Sequence, residues 1–242
     1  MKKILLFGIG CLLVTGLFAQ DQTTKKKTKK QVDLSGRAND HLVLQFGYSG
    51  WSGSPDSVHT SGFPHSFNAY FMFDFPFKTN PHLSVAIGPG IGTDHIYFSK
   101  SYVGIKDITP TLRFQDLSDT THFKKYKLAT AWLEAPVELR YSGNPANPGK
   151  SFKAAIGLKV GTLLNAHTKG KTWVNAAGNT LIPYTEKVSS KRFFNTTRLV
   201  ATARVGYGHF SLYGTYQVGS LFKEGLAANI KPFSIGLTLS GL

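Results

Sequence analysis

Glu134, Glu138 and Arg140 sit at even spacing within an otherwise apolar run, and Asp74, Lys153, Lys159, Arg198 and Arg204 occupy comparable positions elsewhere in the chain. Even spacing places side chains on one face of an extended segment. Charges sharing an enclosed face must pair, because an unpaired buried ion is costly, so these eight residues read as one salt-bridge network. A second set is purely basic: Lys124, Lys125, Lys127, Lys169, Lys171, Lys187, Lys191 and Arg192. That composition suits contact with phosphate groups, and it equally suits ordinary solvated loop charge. For acid–base catalysis the nearest arrangements are Asp94 beside His95 and Asp119 near His122, the pairing in which a carboxylate orients an imidazole. Such neighbour pairs are common, and no activated serine accompanies them. The eight histidines show no HExxH or comparable ligand spacing, and Gly88-Pro89-Gly90-Ile91-Gly92 lacks the spacing of a phosphate-cradling loop. The expectation is therefore no catalytic residue, no metal and no cofactor.

The elements that hold these residues must be strands. Of 242 residues, 13% are aromatic, 25 are Gly and only two are Met, a balance that favours many short strands over a helical bundle. Residues 1–20 read as an export signal, with Lys2 and Lys3 preceding the apolar stretch from Ile4 to Phe18 and Ala19-Gln20 near the cleavage point. Cys11, the only cysteine, lies within that stretch, so the mature chain carries no thiol chemistry. Without Lys2 and Lys3, 26 cations remain against 13 acids, a balance of +13 that favours anionic partners. Export makes lipid phosphate the better candidate and nucleic acid the poorer one. Residues 21–40 form a basic arm containing Lys25, Lys26, Lys27, Lys29 and Lys30, read either as a solvated leader or as a contact with an anionic membrane surface.

From residue 41 to residue 242 the pattern alternates with period two. Leu42, Leu44, Phe46 and Tyr48 oppose Val43, Gln45, Gly47 and Ser49. Phe67, Ala69, Phe71, Phe73, Phe75 and Phe77 oppose Asn68, Tyr70, Met72 and Asp74. Further strands fall at about residues 83–92, 123–141, 152–161, 198–207, 210–217 and 233–239, which makes eight. Short joints separate the second from the third, the fourth from the fifth and the sixth from the seventh, whereas long loops cover residues 52–64, 99–121, 167–190 and 219–230. An even strand count with short turns at one end and long loops at the other predicts an all-β, eight-stranded antiparallel transmembrane β-barrel of the outer membrane, both termini periplasmic and four long loops extracellular.

Charge placement separates this reading from a soluble lipocalin-like carrier, whose polar face would be outside and rich in Lys, Glu and Asp. Here the polar parity is mostly Gly, Ala, Ser and Thr, which fits the narrow interior of eight strands, while the bulky apolar parity suits hydrocarbon. The eight charged residues then fill a non-conducting lumen, and the basic set becomes a collar facing lipopolysaccharide. Tyr48, Trp51, Tyr126, Trp132, Tyr141, Tyr207 and Tyr216 fall near strand ends and are expected in the headgroup girdles.

The segments Leu133-Glu134-Ala135-Pro136-Val137-Glu138-Leu139-Arg140-Tyr141, Phe152 to Leu164, Phe210-Ser211-Leu212-Tyr213-Gly214-Thr215-Tyr216 and Phe233-Ser234-Ile235-Gly236-Leu237-Thr238-Leu239 resemble the Bacteroidota outer-membrane β-barrel family that includes PorT-like proteins. The resemblance implies an integral barrel without catalytic residues, one branch of which serves type IX protein secretion. Leu242 departs from the terminal aromatic of common assembly signals. Function is expected to be that of a structural or interaction scaffold acting through extracellular loops. The competing readings are a secretion accessory in contact with envelope proteins, a small lipid-modifying enzyme and a soluble carrier.

Overall fold

A computed structural model describes residues 41–55 and 58–241. The expected export signal, the basic arm and Leu242 lie outside the described residues. Thirteen strands form among the described residues: β1 (Leu42–Ser52), β2 (His65–Phe71), β3 (Phe73–Pro76), β4 (Leu83–Ile87), β5 (Gly90–Phe98), β6 (Ser101–Val103), β7 (Phe114–Asp116), β8 (His122–Ser142), β9 (Phe152–Val174), β10 (Thr180–Ser189), β11 (Thr197–Tyr207), β12 (Phe210–Gln217) and β13 (Lys231–Ser240). Antiparallel pairing runs β1–β2–β5–β8–β9–β11–β12–β13 and returns from β13 to β1, closing a ring of eight. The expected eight-stranded barrel is therefore the observed fold.

Two of the expected strands are interrupted. The second divides into β2 and β3 at Met72, and the third into β4 and β5 at Gly88-Pro89. Pro89 has no N–H to give to a ladder, yet its carbonyl accepts from Phe71 N at 2.9 Å, so the two breaks face each other and remain joined. Both lower halves stay in the wall, since β3 pairs with β4 and β4 with β8.

The loops depart further from expectation. Residues 167–190, read as a loop, are mostly strand: β9 continues to Val174, and β10 turns back along it from Ser189↔His167 to Thr180↔Val174. An irregularity between Ala131 and Trp132 shifts the β8–β9 register, so the inward parity of Lys159, Gly161 and Leu163 gives way beyond it to Ala166, Thr168 and Gly170. Above the apolar belt the outward positions become Asn165, His167, Lys169 and Lys171, and the apolar alternation that marks a strand disappears. The loop over residues 99–121 contains the β6–β7 hairpin.

The outer face is apolar. Phe67, Phe71, Phe73, Phe75 and Phe77 all stand exposed, as do Leu133, Val137, Ile156, Leu158, Val160, Leu212, Ile235 and Leu237. Glu134, Glu138, Arg204 and Lys159 are buried on the opposite face. A soluble carrier would show the reverse, and this inversion removes that reading.

Small residues let the ring close. Gly47 and Gly236 are direct partners between β1 and β13, and a Cβ at Gly236 would collide with the Phe46 carbonyl and the Gly47 Cα. Gly236→Val should therefore destabilise the barrel by about 1–3 kcal/mol, the usual range for overpacking. The check is urea unfolding in lipid vesicles, alongside loss of the compact band in heat-modifiable gel migration.

Candidate functional site

The lumen holds all eight charged residues that the sequence assigns to it, divided between two clusters. In the outer cluster Arg198 from β11 bridges two carboxylates, with Nη2 2.7 Å from Glu134 Oε1 and Nη1 2.8 Å from Asp94 Oδ2. Tyr70 donates its hydroxyl to Glu134, and Lys159 Nζ donates to Tyr70 Oη at 2.9 Å and to Gln45 Oε1 at 3.3 Å. The Arg198 guanidinium lies 4.4 Å from the ring centroid of buried Trp132. In the inner cluster Glu138 Oε2 accepts from Arg140 Nε and from Arg204 Nη2, each at 3.0 Å, while Asp74 Oδ1 takes Ser84 Oγ at 2.7 Å and approaches Arg140 Nη1 at 3.8 Å. Lys153 is buried on the same inward face of β9. The cavity left among Asn68, Asp94, Glu134, Lys159 and Arg198 has a volume of about 20 Å³, little more than one water needs.

Sequence reasoning missed Asp94, Tyr70, Gln45 and Asn68 as members of this network. The signal was available: Asp94 shares its parity with Gly90 and Gly92, and Asn68 and Tyr70 stand opposite the phenylalanine face of β2. Pairing Asp94 with its neighbour His95 obscured it. The two lie on opposite sides of the wall, because Asp94 reaches inward to Arg198 while the His95 ring faces outward and stacks on His65 at 4.8 Å. His122 Nδ1 bonds to the Thr120 carbonyl at 3.0 Å. Neither Asp–His neighbour pair forms a hydrogen-bonded dyad in the bonds seen.

The basic set also divides. Lys127, Lys169 and Lys187 stand directly opposite one another across β8, β9 and β10, and Lys125 faces Lys171 in the adjacent row. The side chains of these five lysines share the outward face. Like charges placed directly opposite are unfavourable, so this face gains from an anionic counterpart. Lys124, one residue from Lys125, belongs to the other parity. Lys191 Nζ donates to the Leu163 carbonyl at 3.0 Å, and Arg192 donates to the carbonyls of Asp107 and Thr109, both at 3.1 Å. These last two cations are fasteners between loops rather than members of the face.

What they fasten is a cap that the alternation could not reveal. Phe98, Ile105, Leu112, Phe193, Phe194, Phe222 and Ile230 are buried in one apolar cluster with Trp132 and Tyr126, drawn from the long loops and the upper strands. Phe194 packs on Phe222 with centroids 5.0 Å apart, and Trp51 packs on Phe98 at 5.6 Å. Asn195 Nδ2 donates to the carbonyls of Ser220 and Phe222, both at 2.8 Å. Trp51, Tyr126 and Trp132 therefore belong to the interior, not to the headgroup girdle. Trp132 and Tyr126 share the inward parity of Glu134, which excludes them from lipid. Tyr48, Tyr141, Tyr207 and Tyr216 do stand exposed on the outer face. Within the cap, burial and then the Asp107 carboxylate push the Tyr102 hydroxyl up to about 12. Hydrogen bonds from the Ser118 hydroxyl and amide lower the exposed Asp116 carboxyl.

A family model described as "Outer membrane protein beta-barrel domain" matches residues 18–224. No curated protein matches the chain in sequence. Among solved structures the chain is similar to Ail, the attachment invasion locus protein of Yersinia pestis, determined in complex with the heparin analogue sucrose octasulfate; identity is 11% and the TM-score 0.36, covering 82% of this chain and 94% of that one.

Proposed function

Because the chain belongs to the outer membrane protein beta-barrel domain family and so lies in the outer membrane, we propose that it is a non-conducting, non-enzymatic scaffold whose fixed extracellular end binds partners in the envelope. The observation that carries this reading is the double closure: charge pairs fill the lumen, and an apolar cap covers its outer end. Such a molecule has no solute path to offer and acts through its outer surface. The five outward lysines are the part of that surface best suited to lipopolysaccharide phosphates, because each ammonium offers several donors and no carboxylate is paired with them in the ion pairs seen. Purified protein in planar bilayers is expected to show no discrete conductance steps. It is also expected to bind lipopolysaccharide-bearing vesicles in a salt-sensitive way, and K127Q/K169Q/K187Q should weaken that binding at least tenfold. Conductance of the wild type, or vesicle binding that ignores the lysines, would refute the scaffold reading or its lipid partner respectively.

The strand segments that resemble PorT-like proteins of Bacteroidota support a second reading, an accessory of the type IX secretion system. With a filled lumen its part would be that of a tether for envelope proteins, not a conduit. Detergent pull-down of the full chain tests this: co-purified secretion components, with cargo export lost in a deletion strain, would favour it over the lipid scaffold.

A further inference from the structure

β5 leaves the wall at Phe98, opposite Tyr126, while β8 runs on outward to His122 with β9 alone beside it. This leaves a notch in the outer rim. Backbone bonds strap the first loop across it: Ser61 N donates to the Tyr97 carbonyl at 2.9 Å, Ser99 N to His59 at 2.9 Å and Ser49 N to Pro64 at 3.1 Å. The notch is thereby a preformed cavity of about 420 Å³, walled by Phe63, His65, Tyr97, Tyr126, Lys124 and Lys125.

We propose that this rim pocket binds an anionic saccharide, a sugar carrying phosphate or sulfate. Its volume lies in the range of small-ligand sites, roughly 300–1,000 Å³. Its lining joins the two chemistries such a ligand needs. Aromatic rings at Phe63 and Tyr97 offer apolar faces to the C–H face of a sugar ring, and the ammonium groups of Lys124 and Lys125 offer charge-assisted donors to its anion. No carboxylate lines the pocket. Phe63 is 57% exposed and packs at the edge of the apolar face, its ring centroid 6.4 Å from that of Phe46 and 6.2 Å from that of Tyr48. Lys124, which the parity of β8 separates from the lysine face, has its place here instead.

The proposal rests on the reading of the extracellular end as a binding surface, and of its residues the pocket shares Lys125 with the lysine face. The pocket adjoins that face through Tyr97, whose ring centroid is 5.6 Å from Lys127 Nζ. The sugar therefore has two sources: glycolipid of the same leaflet, or soluble glycan from outside.

The test uses the full chain in detergent micelles, with glucose 6-phosphate, glucose and inorganic phosphate as probes in saturation-transfer difference NMR. Glucose 6-phosphate is expected to bind more tightly than either other probe. K124Q/K125Q should weaken it about tenfold or more, as loss of a charge-assisted contact does, and F63A about threefold or more through loss of the apolar ring face. These side chains lie on the rim, and heat-modifiable migration verifies that each variant still folds. Displacement of the probe by lipopolysaccharide micelles assigns the ligand to the membrane's own leaflet, and lack of displacement assigns it to external glycan. Absence of binding, binding no tighter than that of inorganic phosphate, or wild-type binding in both variants would overturn the proposal. Failure of the lysine-face reading is seen separately, as vesicle binding that K169Q/K187Q leaves unchanged.

Discussion

Glu134→Leu is expected to cost the folded barrel about 3–5 kcal/mol, the range for removing one partner from a buried ion pair. The carboxylate is 3% exposed and is held by Arg198 and Tyr70, with Lys159 reaching it through Tyr70. Its loss leaves Arg198 with Asp94 alone and leaves Lys159 without a carboxylate at the end of its hydrogen-bond chain. Leu fits the space but answers neither cation. The penalty comes chiefly from the stranded positive charge and less from the lost contacts, so removing a cation as well should return part of it. Glu134→Leu combined with Lys159→Met is therefore expected to be more stable than Glu134→Leu alone, by a coupling of about 0.5–3 kcal/mol. Urea unfolding in lipid vesicles, followed by heat-modifiable gel migration, measures both. Were Glu134→Leu to cost under about 1 kcal/mol, as a solvated ion pair does, the lumen would be wet and open, and the non-conducting scaffold would fall with it.

That experiment probes the part of the molecule most visible in the sequence. Strand number, the inward placement of Asp74, Glu134, Glu138, Arg140, Lys153, Lys159, Arg198 and Arg204, and the outward phenylalanines of β2 and β3 all follow from a single physical fact. Within a membrane belt the two faces of a strand meet opposite media, so the side-chain pattern alternates strongly. Where that contrast ends, legibility ends too. The upper halves of β9 and β10 have water on the outward side, and their Lys, His and Thr residues looked like loop. The cap was hidden for a different reason. Phe193, Phe194, Leu221 and Phe222 are separated from Phe98, Ile105 and Leu112 by a third to a half of the chain, and no local period announces their meeting. For Trp132 and Tyr126, proximity to a strand end suggests the headgroup girdle, but parity puts both beside Glu134 on the buried face. The rim pocket arises from unequal strand lengths, with β5 ending at Phe98 and β8 continuing, a property of register that composition does not carry.

Leu158→Arg should be the clearest test of which face meets lipid. Leu158 is 49% exposed on the outside of β9, between Val137 of β8 and Ala201 of β11, far from either end of the belt. Arg at the bilayer midplane of a barrel costs about 2–4 kcal/mol, falling to roughly 0–1 near the interfaces. Phe152, at the inner end of the same strand and on the same face, should tolerate Arg at that lower cost, and Thr180 on the water-exposed β10, opposite Val174, should tolerate it with no measurable change. A graded series, Leu158 worst, Phe152 mild and Thr180 silent, measured as the shift in unfolding free energy in vesicles, is the signature of hydrocarbon outside the wall. In a protein surrounded by water, all three exposed positions would respond alike, within about 0.5 kcal/mol. The residue beside Leu158 sharpens the contrast. Lys159 already carries a cation at nearly the same depth, and it is tolerated because one step along a strand turns it inward to Tyr70 and Gln45. What decides the outcome at these two adjacent positions is the face of the strand, since only the inward one supplies a charge with partners.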